Sequence, residues 1–376
     1  MHNIAILGFG TVGSGLGEAL LTDRERLARH LGEGLDIKYI LDLREFPGHP
    51  LGDRVVHDFN IILNDPEIEL VAEMMGGSHP AYDFSLAALK AGKHVVTSNK
   101  EVVANFGAEL LETARQNGVR YLFEASVGGG IPVLRPIINE AVLHEVRSVR
   151  GILNGTTNYI LTQMRIHGTP FADALSAAQS MGYAEANPTA DVDGLDAARK
   201  IVILAALAFG VIVKPDEIPV KGIRDVRPED LQAAGACGGT LKLIGSASRE
   251  CGGLLISVRP CFVRHDRLLA HVDDVFNAVS VDTGVLGEVV YYGAGAGKLP
   301  TAAAVEADIT DILSGSVQSQ EALTWKAGSR DDLCDASLVS YSWFISGGTD
   351  SRITEPMTEE AVKKLCAAGQ NYYPCL

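Results

Sequence analysis

Along the first 130 residues the hydrophobic positions fall into two alternating patterns. Short aliphatic and β-branched runs at 4–7, 37–41, 70–74, 94–97 and 120–123 have the length and composition of strands. Between them, stretches such as 80–91 and 105–117 carry apolar residues at helical spacing. This alternation predicts a parallel sheet with helices on both faces. Each run is followed by Gly or a small polar residue, and ligands of open α/β sheets bind along that edge.

Pro132 and Pro136 mark a change of pattern. A second α/β region is predicted over 146–292, with strands at 148–153, 255–263 and 285–292 and helices at 157–167, 171–181 and 195–209. A Gly-rich turn at 293–297 precedes a further helix, 301–313. The last sixty residues are more polar and less periodic, with a strand predicted at 338–345 and a helix at 358–367. No internal repeat or low-complexity tract interrupts the chain.

The chain of 376 residues is long enough for two domains, and 47% apolar with 21% charged residues is a globular composition. Its net charge of −15 speaks against nucleic acid or an anionic membrane as partner, because either would be repelled over most of the surface. A local group of N–H donors can still bind an anionic cofactor. Six cysteines without CxxC spacing read as free thiols in a reducing compartment. The N-terminus enters a strand-like run without a basic region or cleavage site, and the longest apolar run, 201–213, is too short to span a bilayer. A soluble, cytoplasmic protein is expected.

Candidate chemistry begins at the first strand end, Gly8-Phe9-Gly10-Thr11-Val12-Gly13. Gly8 permits a tight turn, Gly10 lets the backbone approach a pyrophosphate, and Gly13 lets helix and strand pack closely. Directly after the first strand of an alternating α/β pattern, this is a dinucleotide fingerprint. The second strand ends at Asp42, with Arg44 two residues on. The acid suits the ribose hydroxyls of NAD and the arginine the 2′-phosphate of NADP, so cofactor preference stays open; Arg44 as a solvated surface charge is an equal alternative.

Thr97-Ser98-Asn99-Lys100 brings a lysine to the ligand edge, where an ammonium can hold a carboxylate or a polarised carbonyl oxygen. Glu124 and the glycines 128–130 offer a carboxylate and backbone carbonyls that could coordinate a cation, with a flexible hinge as the alternative. In Asn154-Gly155-Thr156-Thr157-Asn158 a threonine can cap the following helix, and the remaining polar groups suit a ligand wall. The densest cluster is Gly182-Tyr183-Ala184-Glu185 followed by Asp191, Asp193, Asp196 and Lys200. Asp196 and Lys200 lie four apart on one predicted helix face. An exposed pair of this kind is worth only about 0.3–0.5 kcal/mol. Beside the apolar run that follows Lys200, the pair instead acquires the shifted proton affinities that acid–base chemistry needs.

Taken together, GFGTVGSG, TSNK, EASVGGGIPVLRP, GILNGTTNYILTQM, GYAEANPTADVDGLDAARK and GAGAGKLPTAAAVEADI resemble the homoserine dehydrogenase family in order and spacing over roughly 1–313. The resemblance implies a Rossmann-type parallel-sheet domain plus a second α/β catalytic and dimerisation domain. The expected boundaries are 1–135, completed by about 293–315, then 136–292, and a C-terminal extension 316–376 of unknown role. The implied reaction is NAD(P)-dependent interconversion of L-homoserine and L-aspartate 4-semialdehyde in threonine, methionine and isoleucine biosynthesis. Lys200, Lys100 and Asp196 take catalytic roles by resemblance, and Glu185, Asp191, Asp196 and Lys100 bind substrate. Gly8, Gly10, Thr11, Val12, Gly13, Arg44, Ser98, Lys100, Gly182 and Gly297 fall at cofactor positions. Glu124 with the carbonyls of Val127, Gly129 and Ile131 falls at a monovalent-cation (Na+ or K+) site. The resemblance is to the monofunctional type and implies a homodimer or a dimer of dimers. Asn187 departs from the family, which usually has aspartate there, and the tail does not read as a regulatory domain.

Overall fold

Hydrophobic runs too short to be helices become the central strands of a six-stranded parallel sheet in the computed structural model, which describes residues 1–316 and 324–376. The strands are β1 (His2–Leu7), β2 (Leu35–Leu41), β3 (Val55–Val56), β4 (Leu70–Glu73), β5 (His94–Thr97) and β6 (Tyr121–Leu122). Their order, β3-β2-β1-β4-β5-β6, reverses direction between β1 and β4, which makes the crevice beyond those two strand ends the expected ligand position. Helices α1 (Thr11–Thr22), α2 (Arg24–Leu31), α3 (Phe59–Leu63), α4 (Ala81–Lys90) and α5 (Lys100–Gln116) connect the strands, and α6 (Leu134–Leu143) follows the last of them.

A late segment returns to this sheet. The first compact unit comprises Met1–Val142, Gly210–Ile212 and Ala296–Ala327. Its core joins Ile4, Ile6 and Leu16 to Ala302, Val305 and Ile309 of a helix far along the chain, Lys298–Leu313. The short strand β8 (Val211–Ile212) pairs in parallel with Lys326–Ala327.

The second unit comprises Leu143–Phe209, Val213–Gly295 and Gly328–Leu376. Its sheet has five antiparallel strands in the order β10-β9-β7-β11-β12: β7 (Val146–Ile152), β9 (Gly239–Glu250), β10 (Gly253–Arg264), β11 (Phe276–Thr283) and β12 (Gly287–Ala294). Helices α7 (Gly155–His167), α8 (Phe171–Ser180), α9 (Thr189–Val192), α10 (Leu195–Phe209) and α11 (Pro228–Ala236) belong to the same unit. On α10 every residue from Ile201 to Leu207 is buried. The helix lies so close to the sheet that a Cβ at Gly245 would sit 3.1 Å from the Ile201 Cβ and 2.9 Å from Leu153 Cδ1.

The structure departs from the hydrophobic pattern where polar groups are buried or an element is short. Strands β9 and β11 escape a period-2 reading because Lys242, Asn277 and Ser280 are buried in them. Lys242 places its ammonium on Asp273 Oδ1 (2.9 Å) and Asn158 Oδ1 (3.2 Å). Helix α5 starts at Lys100 rather than at 105, because the Asn99 side chain accepts from the N–H groups of Glu101 (3.1 Å) and Val102 (3.2 Å). Elements α2, α3 and β3 are too short or too polar to show a period.

Residues 328–376 fold within the second unit; part of the predicted extension, 317–323, lies outside the described residues. Trp343–Ser346 forms a three-stranded antiparallel sheet with Arg352–Ile353 and Asn371–Pro374. Phe344 stacks on Phe262 of β10 at 4.9 Å. The buried Asp230 of α11 accepts bonds from the hydroxyls of Ser346 (2.5 Å) and Tyr373 (2.9 Å), the Asn371 amide (2.8 Å) and the Arg227 guanidinium (2.9 Å). Burial opposes its ionisation, but hydrogen bonds from Arg227, Ser346 and Asn371 hold its carboxyl below the usual range. Trp343 is 0% exposed. Trp343→Ala is therefore expected to destabilise the protein by about 3–5 kcal/mol, read from urea midpoints; a loss below about 1 kcal/mol would mean the tail adds little to the fold.

Candidate active site

In the first unit the glycine turn has the geometry its spacing predicts. Gly8 has φ +86°, and a Cβ there would stand 2.9 Å from the Met74 carbonyl oxygen. A Cβ on Gly13 would lie 2.0 Å from the Gly8 carbonyl oxygen, so the start of α1 rests directly on the strand end. Around Gly10, by contrast, a Cβ would meet nothing within 4 Å. Gly10 caps α1 without a side-chain bond, which leaves the first-turn N–H groups, beside Thr11 and Val12, for an anionic ligand. A dinucleotide pyrophosphate fits this cradle.

Asp42 lies at the end of β2 and accepts the Phe9 N–H at 2.8 Å. Arg44 closes on the same carboxylate with two side-chain bonds of 2.9 Å and its own N–H at 3.0 Å. The Arg44 guanidinium thereby holds the Asp42 carboxyl down at about 2. It also lies over the Phe46 ring, 5.2 Å from the centroid. Gly8, Gly10, Asp42, Arg44, Met75 and Gly76 line a groove of about 510 Å³. Arg44 is thus not a free surface charge: its guanidinium is held on the Asp42 carboxylate.

Glu73, a residue the sequence pattern did not single out, ends β4 with no exposure. Its carboxylate accepts the Met75 N–H (2.7 Å) and the Thr97 hydroxyl (2.6 Å). Thr97 in turn accepts the Asn99 N–H at 2.9 Å, and the Asn99 amide reaches the Gly77 carbonyl at 2.8 Å. This chain ties the loop after β4 to the segment carrying Ser98 and Lys100. Lys100 is the first residue of α5, half-buried, with its N–H on the Ser98 carbonyl at 3.1 Å. The only hint in the sequence was an acid inside an otherwise apolar run, Leu70 to Met75.

Glu124 uses its carboxylate at the start of α6. Oε1 accepts the N–H groups of Val133 (2.7 Å) and Leu134 (2.9 Å), and Oε2 accepts that of Arg135 (3.0 Å). Between Glu124 and these donors the loop holds Val127, Gly129 and Ile131, with Gly128 and Gly129 both at positive φ (78° and 56°). Asp308, on the helix Lys298–Leu313, accepts the Glu124 N–H (2.9 Å) and pairs with Arg135 (2.7 Å). Gly297, at φ 132°, is the N-cap of that helix.

In the second unit, Lys200 is 8% exposed and its ammonium donates to Asp196 Oδ2 and to the Leu153 carbonyl, each at 2.7 Å. Asp196 Oδ2 and Asp191 Oδ1 both accept from the Asn154 amide, at 2.9 and 2.7 Å. Lys200, Asp196 and Asp191 are therefore one bonded cluster. Glu185 is not bonded into it: its side chain is exposed on the loop after α8, and its backbone carbonyl accepts from Gln179 at 3.0 Å. That loop, which begins at Gly182 (φ +74°), is attached to α7 where the Tyr183 carbonyl accepts the Thr156 hydroxyl at 2.5 Å. Asn154 stood in the sequence only as part of a polar segment; its bridging role needed the fold.

The acids of the first unit carry a pH signature. Burial pushes Glu73 up from the ordinary 4.5 to about 7 and Asp308 from 3.8 to about 7. For a carboxyl raised in the folded state, the folded protein binds the proton more tightly. Stability is then greatest at low pH, falls as pH rises through the window from 4.5 to about 7, and is flat above it. For Glu73 the loss is on the order of 3 kcal/mol. Glu73→Gln should flatten the dependence of unfolding free energy on pH between 5 and 7 by about one proton's worth of slope. An unchanged slope in urea titrations would show that Glu73 is already ionised.

Comparison with known proteins bears on both units. Residues 8–124 match the family described as homoserine dehydrogenase, NAD binding domain, and residues 132–310 match that described as homoserine dehydrogenase. A homoserine dehydrogenase of Synechocystis sp. is 43% identical over 326 residues, 85% of this chain and 75% of its own length. One of Pseudomonas aeruginosa is 40% identical over 85% of this chain and 74% of its own. The crystal structure of a homoserine dehydrogenase from Thiobacillus denitrificans superposes with a TM-score of 0.89 at 31% identity, covering 100% of this chain and 98% of that one. A hyperthermophilic archaeal homoserine dehydrogenase in complex with NADPH superposes with a TM-score of 0.72 at 27% identity, covering 83% and 97%. Among the described residues no helix is long and apolar enough to cross a membrane.

Proposed function

This chain belongs to the homoserine dehydrogenase family, and from that premise we propose that Lys200 is the acid–base group of its reaction. The activity is that of an NAD(P)-dependent oxidoreductase interconverting L-homoserine and L-aspartate 4-semialdehyde. The nicotinamide dinucleotide, when bound, takes up or returns the hydride at the substrate's terminal carbon. The protein must then move one proton at the substrate oxygen. In the oxidative direction a neutral Lys200 amine accepts the hydroxyl proton; in the reductive direction its ammonium returns a proton to the aldehyde oxygen.

The observation that carries this reading is the burial of the Lys200 ammonium between Asp196 and the Leu153 carbonyl. A buried lysine with one carboxylate and one carbonyl is held at a single position, which a proton donor requires, and Asp196 stabilises its charged form. Homoserine is a zwitterion, so its ammonium needs carboxylates; Asp191, in the same cluster, and Glu185, on the loop beside α7, serve that need. Lys100 supplies a second ammonium for anionic groups of substrate or cofactor.

Gly8, Gly10 and Gly13, with the N–H groups at Thr11 and Val12, hold the pyrophosphate, and Ser98 and Gly297 complete the cofactor contacts of that unit. Asp42 and Arg44 admit either NAD or NADP, since Arg44 can leave the carboxylate to meet a 2′-phosphate. A Na+ or K+ ion suits the loop 124–131. Glu124, whose carboxylate is held at the start of α6 by three N–H groups, and the carbonyls of Val127, Gly129 and Ile131 would hold it. The protein acts in the cytoplasm, in synthesis of threonine, methionine and isoleucine, as a homodimer or a dimer of dimers.

Lys200→Ala is expected to lower kcat for homoserine oxidation by about 10²–10⁴-fold while fluorescence titration with NADPH or NADH shows unchanged affinity. Turnover at the original rate would remove Lys200 from the chemistry. If the cation reading holds, replacing Na+ and K+ by tetramethylammonium lowers activity and readdition restores it; equal rates in all three salts would count against that site.

A further inference from the structure

Asn154 does more than begin a helix. It is 5% exposed and caps α7, its side-chain oxygen accepting the Thr157 N–H at 2.9 Å and the Thr157 hydroxyl at 3.0 Å. Capping needs only an acceptor, and serine or aspartate would serve as well. The amide nitrogen is surplus to that task. Its two hydrogens go to carboxylates on two different helices, Asp191 of α9 at 2.7 Å and Asp196 of α10 at 2.9 Å. The Asp196 oxygen it reaches is the one that receives Lys200. The preceding residue, Leu153, supplies the other acceptor of the same ammonium.

We propose that Asn154 is a positioning residue for the proton-transferring lysine: its amide holds Asp191 and Asp196 together and shares the Asp196 oxygen that binds Lys200. The proposal rests on the reading of Lys200 as the acid–base group. Two carboxylates drawn to one site repel each other, and a neutral donor with two hydrogens is what can bridge them without adding charge. An oxygen that accepts from both Asn154 and Lys200 holds the lysine proton less tightly than one serving Lys200 alone. The amide therefore eases release and recapture of the proton.

Several charged neighbours on the packed elements are engaged elsewhere. Asp193 pairs with Arg224, Lys242 with Asp273, and Arg259 of β10 with Glu359. Arg249 of β9 reaches the Phe209 carbonyl at the far end of α10, Arg147 of β7 lies against Gly284, and Arg150 of β7 acts on the Cys261 thiol. Arg199 stands next to Lys200 on α10 itself. Asp191 and Asp196 are the carboxylates bonded to the amide, and neither is mutated in the variants below.

The test is the pH dependence of kcat/KM for homoserine oxidation at saturating cofactor, for the wild type, Asn154→Ser and Asn154→Asp. Both variants retain a capping oxygen, so both should fold, and unchanged NADPH affinity and thermal midpoint check this. Without the amide, the Asp196 oxygen loses one of its donors and holds the Lys200 ammonium more tightly, so the neutral amine forms at higher pH. The limb rising with pH is expected to move to higher pH by about half a unit in Asn154→Ser, and by about one unit or more in Asn154→Asp, where a third carboxylate faces the ammonium. One unit corresponds to about a tenfold loss of kcat/KM at a fixed pH below the limb. Asn154→Gln, which keeps an amide on a longer arm, should not reproduce the Asp shift. Folded variants whose limb coincides with the wild type, whatever their rate, would overturn the proposal. If Lys200→Ala retains turnover, the underlying reading fails first; if Lys200→Ala is inactive and the limbs coincide, only the role of Asn154 fails.

Discussion

The constraint on which the second unit turns is the burial of one ammonium. Removing a lysine charge from water costs several kcal/mol, which a partner carboxylate repays only when geometry is good and remaining donors are met. Here Asp196 and the Leu153 carbonyl meet them at 2.7 Å. That requires the end of β7 and the first turn of α10 to stand at a set separation. The separation follows from Gly245, which lets α10 settle onto β9 until Ile201 and Leu153 share its surface. The apolar run after Lys200 is thus the anchor that places the charge.

The first unit solves the converse problem, burying carboxylates without lysines. Glu124 is satisfied by three N–H groups at the start of α6, where the helix dipole adds to them. Glu73 has one N–H and one hydroxyl, and burial wins over these bonds, which is why its carboxyl titrates near neutrality. Asp308 shares Arg135 with Asp311, at 2.7 and 2.9 Å, and is likewise raised by burial. Glu73, at the end of β4, ties two crossover loops, and Asp308 binds the Glu124 backbone from a helix distant in sequence. Such residues fix the loops at the strand ends, at a cost in stability that depends on pH.

Most of the parallel sheet was legible, because strands buried on both faces read as continuous apolar runs. The glycine turn was legible for the same reason that it works: only glycine fits at Gly8 and Gly13. The Asp196–Lys200 pair followed from helical spacing. What could not be read is what depends on contacts between distant segments. Asn154 lies 37 and 42 residues from the carboxylates it bridges, and nothing in its neighbourhood announces a second use for its amide. Glu73 was hidden in an apolar run, and Arg44, read beside Asp42 as either a 2′-phosphate contact or a surface charge, needed the fold to show it closed on that carboxylate.

The tail shows why weak periodicity is not weak structure. β10 is an edge strand, and an open edge invites pairing with other chains. Three separate segments bridge to it in parallel, through Val220 to Val258, Leu333 to Leu254 and Cys375 to Phe262. None is long enough to show a strand pattern, and two of them come from the tail. The small tail sheet is fixed by Asp230 of α11, whose carboxylate accepts from Ser346, Asn371 and Tyr373. A carboxylate that accepts from three tail residues can organise strands too short to persist alone, so part of what folds the tail resides 116 residues upstream of Ser346.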